Sequence, residues 1–431
     1  MTTRLYRLLQ LEPGELGPVA GSFAYFFCLL AGYFVLRPVR DEMGIQGGVG
    51  DLAWVFTATF LVMLAIVPVF GWAVARFARR RLVAVSYGVS IGVIILFFGL
   101  MRADIAPAWV ARAFFVWVSV FNLFVVSLFW SVMNDVFDRF QSLRLFGVIS
   151  AGGSLGAIVG PAITAGLADT LGPVNLLPIS VILLVAATAF ALAVMSSATA
   201  TGRDMPGNGT SQGNVWAGAM HVFRSPYLLA ICVFIVMYAS LSTFLYFEQA
   251  HIVKNAFASS AQRTQVFAGM DLATNTLTLL LQFFATARLV LWLGLPVALA
   301  LIPLAVAAGF GLLGLAPTLV VLVVFQVVRR AGNYALTKPS REMLFGVVSR
   351  EDKYKAKNFI DTVVYRFGDA ASGWLYTGLG AIGLGLAGLA FAAIPLALIW
   401  AVFGIWLGRT RQRRAADTTF DDSAEQQGAD T

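Results

Sequence analysis

The chain has 431 residues, 59% of them hydrophobic and only 12% charged, with a formal net charge of +8 and a mean hydropathy of +0.81. A soluble domain carries about 25% charged residues, so this composition excludes a soluble enzyme. The basic excess falls in short loops between apolar runs, which is the pattern of membrane loops and not of a nucleic-acid-binding surface.

The apolar runs are about 20 residues long, enough to cross a bilayer as helices. A β-barrel would instead alternate polar and apolar residues in segments of about 10. The expected fold class is therefore an all-α polytopic membrane protein. Cys28 and Cys232 lie inside apolar runs, and His221 and His251 have no partner at metal-ligand spacing. No disulfide, metal site or cofactor is expected.

At the N-terminus, Arg4, Arg7 and Leu8 to Leu11 precede Glu12-Pro13-Gly14-Glu15 and read as a short amphipathic surface helix. Twelve spans follow. The first six cover 17–37, 51–75, 82–101, 107–132, 145–168 and 174–195. The second six cover 226–247, 264–287, 289–313, 317–337, 358–380 and 384–408. The organisation is thus an N-terminal six-helix half (1–195), a Ser/Thr/Gly/Asn-rich linker (196–215), a C-terminal six-helix half (216–408) and a polar, acidic tail (409–431) expected to be disordered. Two six-helix halves joined by a polar linker resemble the major facilitator superfamily.

Loop charge sets the expected orientation. Arg76, Arg79, Arg80 and Arg81 follow span 2; Lys338, Arg341, Arg350, Lys353, Lys355 and Lys357 follow span 10; Arg409, Arg411, Arg413 and Arg414 follow span 12. With twelve spans these loops share one side, which places both termini in the cytoplasm; the bacterial inner membrane is the expected location. Asp138–Phe146 and Glu351–Phe359 open spans 5 and 11 with similar patterns: an acidic head, then a basic residue near a Phe at the membrane entry.

Gly71-Trp72-Ala73-Val74-Ala75-Arg76-Phe77-Ala78-Arg79-Arg80 resembles the major facilitator loop motif between helices 2 and 3, with Ala75 where that pattern has Asp. Arg76 and Arg80 are expected gating residues with Asp135 and Asp138 as counter-charges; the alternative is that these arginines only enforce orientation. In span 5, Gly147, Gly152, Gly153, Gly156 and Gly160 at helical spacing point to close helix packing. They do not form a phosphate loop, because no Lys-Ser/Thr ending follows.

Polar residues inside spans are costly against lipid and mark either inter-helix pairing or a solute path. Asp271, Asn275, Thr278 and Gln282 share one helical face of span 8, as do Gln326, Arg330, Asn333 and Thr337 in span 10. Span 1 aligns Tyr33, Arg37 and Arg40, with Pro38 expected to bend its end. Span 11 aligns Asp361, Tyr365 and Asp369, with Arg366 placed to pair with Asp369. The expected substrate-binding set is Arg37, Arg40, Asn122, Glu248, Asp271, Asn275, Arg330, Asn333, Arg366 and Asp369. Four arginines in that set favour an anionic or zwitterionic small molecule, since the guanidinium fork fits carboxylate and phosphate. The acidic members either neutralise them or carry a coupled proton.

Three stretches together resemble the ATP/ADP antiporter family of bacteria and plastids: Tyr33–Asp41, Phe129–Val136 leading to Arg144–Gly147, and Tyr354–Gly368. The resemblance implies a substrate cavity between the halves and nucleotide exchange. Arg37 matches a family arginine, and Arg40-Asp41 matches a Lys-Asp pair whose lysine is a phosphate contact. Two positions depart: a family acidic residue falls near Val118, and a family lysine falls at Asp369, which reverses the charge. Secondary transport by alternating access is the expected function, with nucleotide exchange its specific form. The alternatives are proton-coupled transport of another anionic metabolite or drug, and a non-transporting membrane partner. A monomer in the bilayer is expected.

Overall fold

The structure is a computed structural model that describes residues 11–200, 220, 222–348, 356–357 and 359–429. The N-terminal amphipathic helix, most of the linker and the loop ahead of span 11 lie outside the described residues. We label the main helices α1 (Leu16–Gln46), α2 (Leu52–Arg76), α3 (Arg79–Arg102), α4 (Pro107–Val136), α5 (Arg139–Leu171), α6 (Leu177–Ala200), α7 (Pro226–Ala256), α8 (Ser260–Phe284), α9 (Thr286–Leu315), α10 (Leu319–Gly332), α11 (Tyr365–Ala381) and α12 (Leu386–Ala429). Among the described residues, ten helices are long and apolar enough to cross a membrane. The expected spans 8 and 11 are helical as well, as α8 and α11, but these carry the polar stripes and fall outside that set of ten.

The chain forms two compact units. One comprises residues 1–212 and 253–275, the other residues 213–252 and 276–431. The first unit therefore takes in the start of α8, which the sequence places in the second half.

In the first unit α1 packs against α4, α5 and α6. The α5 glycines make this possible. A Cβ on Gly152 would stand 2.4 Å from the Phe23 carbonyl oxygen, one on Gly156 2.4 Å from the Phe27 carbonyl oxygen, and one on Gly160 2.6 Å from the Ala31 carbonyl oxygen. These are backbone atoms, so the glycines set the inter-helix distance, as the packing reading expected. Aromatic rings fill the neighbouring layer: Phe26 stacks on Phe129 at 3.9 Å, and the Tyr25 and Tyr87 hydroxyls are hydrogen-bonded. On α2 and α3 the opposite faces expose Trp54, Leu61, Trp72, Val89 and Leu96, as suits helices bathed in lipid.

At the start of α5, Asp138 forms a capping box with Gln141. Gln141 and Arg144 then both bind Glu15, at 2.8 Å and 2.8–2.9 Å. Burial pushes the Glu15 carboxyl up, but hydrogen bonds from Arg144, the Glu12 amide and Gln141, with the Arg144 charge, outweigh it and hold the group below the usual carboxylate value. This ties the beginning of α1 to the beginning of α5.

In the second unit α9 packs along α12, where a Cβ on Gly408 would come within 2.6 Å of Pro296. Trp400 is buried beside Phe234 at 5.4 Å. Gly294 (φ 73°) breaks α9, so its first turns run in a different direction from the rest. The helix of span 10 passes from α10 into a π-helical turn, Asn333–Thr337, and then Lys338–Leu344; α11 is likewise preceded by a π-helical turn, Ile360–Val364. Such turns leave backbone groups less regularly paired and often accompany functional positions.

Two expectations differ from what is observed. α1 does not end near Arg37; it continues through Pro38 to Gln46 because its charges find partners within the unit, described below. α12 is helical to Ala429, where a disordered tail was expected.

Candidate functional site

The polar residues of the spans gather into separate clusters. In the first unit, Arg37 lies 3.6 Å from Asp271, which is 1% exposed. The face of Phe34 also covers the Arg37 guanidinium at 5.6 Å. Arg40 turns to its neighbour Asp41, with contacts of 2.6 and 3.0 Å, and lies over Phe115. Asn275 donates to the Ala157 carbonyl at 2.6 Å. Asn122 is half-buried on α4.

A further pair at the end of α1 escaped the sequence reading. Glu42, with its side chain fully buried, receives two hydrogen bonds from Arg263, at 2.6 and 2.7 Å, and a third from Gln46. Arg263 also donates to the Phe257 and Ala258 carbonyls. The signal was present: a Glu directly after an Asp inside an apolar helix needs a cation, and Arg263 is the first one on α8.

The expected gating group is partly rearranged. Asp135 pairs with Arg79 at 2.6 Å, not with Arg76. Arg79 begins α3 on the face that also buries Leu82 and Val83, whereas Arg76 and Arg80 point outward and are exposed. Asp138 is used as the α5 cap. Helix phase, which residue spacing across a loop does not reveal, decides which arginine of the cluster turns inward.

In the second unit, Asp369 accepts hydrogen bonds from Thr243 and from Arg366, both at 3.2 Å, so the expected Arg366–Asp369 pair is present. Glu248 is 1% exposed and accepts a hydrogen bond from the Tyr376 hydroxyl at 3.1 Å. Ser240 and Ser372 bond across α7 and α11. On α10, Arg329 is the more buried arginine: it donates to Ser242 at 2.6 Å and to Gln326 at 2.9 Å, and Gln326 in turn donates to Gln249. Arg330, the stripe residue, is half-buried, and Asn333 is buried in the π-helical turn. Asp361, expected on the same stripe as Asp369, is exposed and pairs with Arg341 at 2.9 Å. The π-helical turn between Asp361 and Tyr365 shifts the helical phase and takes Asp361 out of the stripe.

These clusters are chemically suited to hold polar solutes inside apolar helices: each unit presents arginine, carboxylate and amide side chains on helices whose other faces are apolar. They contain no nucleophile–base arrangement of the kind hydrolysis or group transfer requires.

A relative, ADP,ATP carrier protein 1 of Chlamydia pneumoniae, is 21% identical over 90% of both chains. Among solved structures, the nucleoside transporter NupG superposes with a TM-score of 0.66 at 13% identity, over 92% of this chain and 99% of that one. The human organic anion transporter MFSD10 superposes with a TM-score of 0.57 at 15% identity, over 91% and 100%. The pattern of the Major Facilitator Superfamily matches residues 19–340. This integral membrane protein of transporter architecture, which is not an enzyme, belongs to the major facilitator superfamily.

Proposed function

We propose that this transporter moves an anionic or zwitterionic small solute by alternating access, with exchange of a nucleotide as the specific form. The observation that carries the reading is the placement of Arg37, Arg329 and Arg366 on otherwise apolar helices, each partly or wholly buried. Buried cations in spanning helices are expensive and mark solute paths. Relatedness to an ADP,ATP carrier over nearly the whole chain supports a nucleotide. Asp369 favours a solute less anionic than ATP: beside Arg366 it withdraws positive field that a polyphosphate would need. A nucleoside monophosphate, a carboxylate or a zwitterion fits that charge balance better.

Uptake into proteoliposomes loaded with ADP, AMP or aspartate decides between these. Accelerated uptake of labelled ADP or AMP against internal counter-substrate is the expected result. Uptake of none of the three, with or without counter-substrate, would remove the anion reading.

The orientation belongs to the same proposal. Both termini face the cytoplasm, because the basic loops resist translocation. Cysteines introduced at Arg80 and Arg350 are expected to react with an impermeant thiol reagent only after the membrane is opened. Reaction of either in intact cells would contradict this arrangement.

A further inference from the structure

Arg329 is 7% exposed, and both of its hydrogen-bond partners, Ser242 and Gln326, are neutral. Its Nε–H is buried and has no acceptor among the described residues. The carboxylate that feels its charge, Asp369, is bonded to Arg366 and Thr243 instead. Glu248, on the same helix as Ser242, is engaged by Tyr376. Within this cluster two guanidiniums therefore share one carboxylate.

A buried guanidinium that only shares a counter-charge is costly in a spanning helix, and burying it among neutral hydrogen-bond acceptors removes only part of that cost. Three other arginines of this chain are treated differently. Arg79, Arg144 and Arg263 each reach a carboxylate at 2.6–2.8 Å, although Arg79 too keeps a buried nitrogen without an acceptor, so the carboxylate contact is what sets them apart. Ser242 and Gln326, backed by Gln249, instead hold the Arg329 side chain in place by two of its nitrogens while leaving Nε–H free. A side chain oriented in advance, with charge and one donor to spare, is the arrangement that an anion completes.

We propose that Arg329 is an anion-binding residue that takes the carboxylate or phosphoryl group of the transported solute, and that Ser242, Gln326 and Gln249 position it. This rests on the reading of the protein as a transporter of anionic or zwitterionic solutes and names the side chain that receives the negative group. Arg330, its neighbour in sequence, is not assigned this role.

Melting of the purified full chain in detergent tests the proposal, without ligand and with ADP, inorganic phosphate or aspartate. Arg329→Gln keeps a polar side chain of similar reach but removes the charge. Without ligand it is expected to melt at or above the wild type, because a buried charge only partly compensated by Asp369 is gone. Whatever rise in melting temperature the anions give the wild type should be lost in Arg329→Gln and partly restored in Arg329→Lys. Two results overturn the proposal: Arg329→Gln melting clearly below the wild type, or failing to fold, which marks a structural residue; or anions stabilising Arg329→Gln as much as the wild type. If none of the three anions stabilises the wild type, the anion-transport reading loses its support. The ligand-free melting order still decides whether Arg329 is an under-compensated cation.

Discussion

Asp369→Lys is expected to abolish transport and lower the melting temperature. Asp369 is buried, and it accepts from Thr243 and Arg366 at 3.2 Å. A lysine there sets two cations against each other and leaves Thr243 without its acceptor. Breaking a fully buried pair costs about 3–5 kcal/mol; the loss here is smaller, since the Arg366 side chain is 29% exposed and water screens it. Asp369→Asn, which keeps an acceptor for Thr243, is expected to fold near normally and lose most transport. The double exchange Arg366→Asp with Asp369→Lys should recover melting temperature if the pair is the cause. Wild-type transport by Asp369→Lys would show that the pair lies off the solute path. Asp369→Lys also introduces the charge that the antiporter resemblance implies for this position, so a gain of ATP binding by the variant would identify the reversal as a specificity determinant.

The second large effect is steric. Gly156→Leu should remove the folded protein from the membrane, because a Cβ at Gly156 meets the Phe27 carbonyl oxygen at 2.4 Å and the Ala31 nitrogen at 2.9 Å. Both belong to the α1 backbone, which cannot rotate away as a side chain can. Over-packing in a well-packed interior costs about 1–3 kcal/mol, and more where backbone must move. Even Gly156→Ala is therefore expected to lower the melting temperature by a measurable amount. Gly166→Ala on the same helix is the control, since nothing lies within 4 Å of its Cβ position. Equal melting of Gly156→Ala and Gly166→Ala would mean that α1 and α5 have room the structure does not show.

Several features of this protein were decided by the sequence alone. Hydropathy decides class, because a run of about 20 apolar residues with few charges can satisfy its backbone only as a buried helix in lipid. The α5 glycine spacing foretold close packing, since residues three and four apart share a face whatever the neighbour turns out to be. Arg366 and Asp369 were legible as a pair for the same reason: their spacing of three brings them together within one helix.

Tertiary structure decided the rest. Which arginine of Arg76 to Arg81 meets Asp135 depends on the phase at which α3 begins after a loop, and the answer was Arg79. Arg329 is the more buried of the two neighbouring arginines because Ser242 and Gln326 receive it; both arginines are acceptable to a helix, and only the packing around them distinguishes them. Asp361 left its stripe because a π-helical turn inserts a change of phase that no periodicity count anticipates. The Glu42–Arg263 pair joins residues 221 positions apart, and contact at that separation depends on how the helices assemble, which local spacing does not encode.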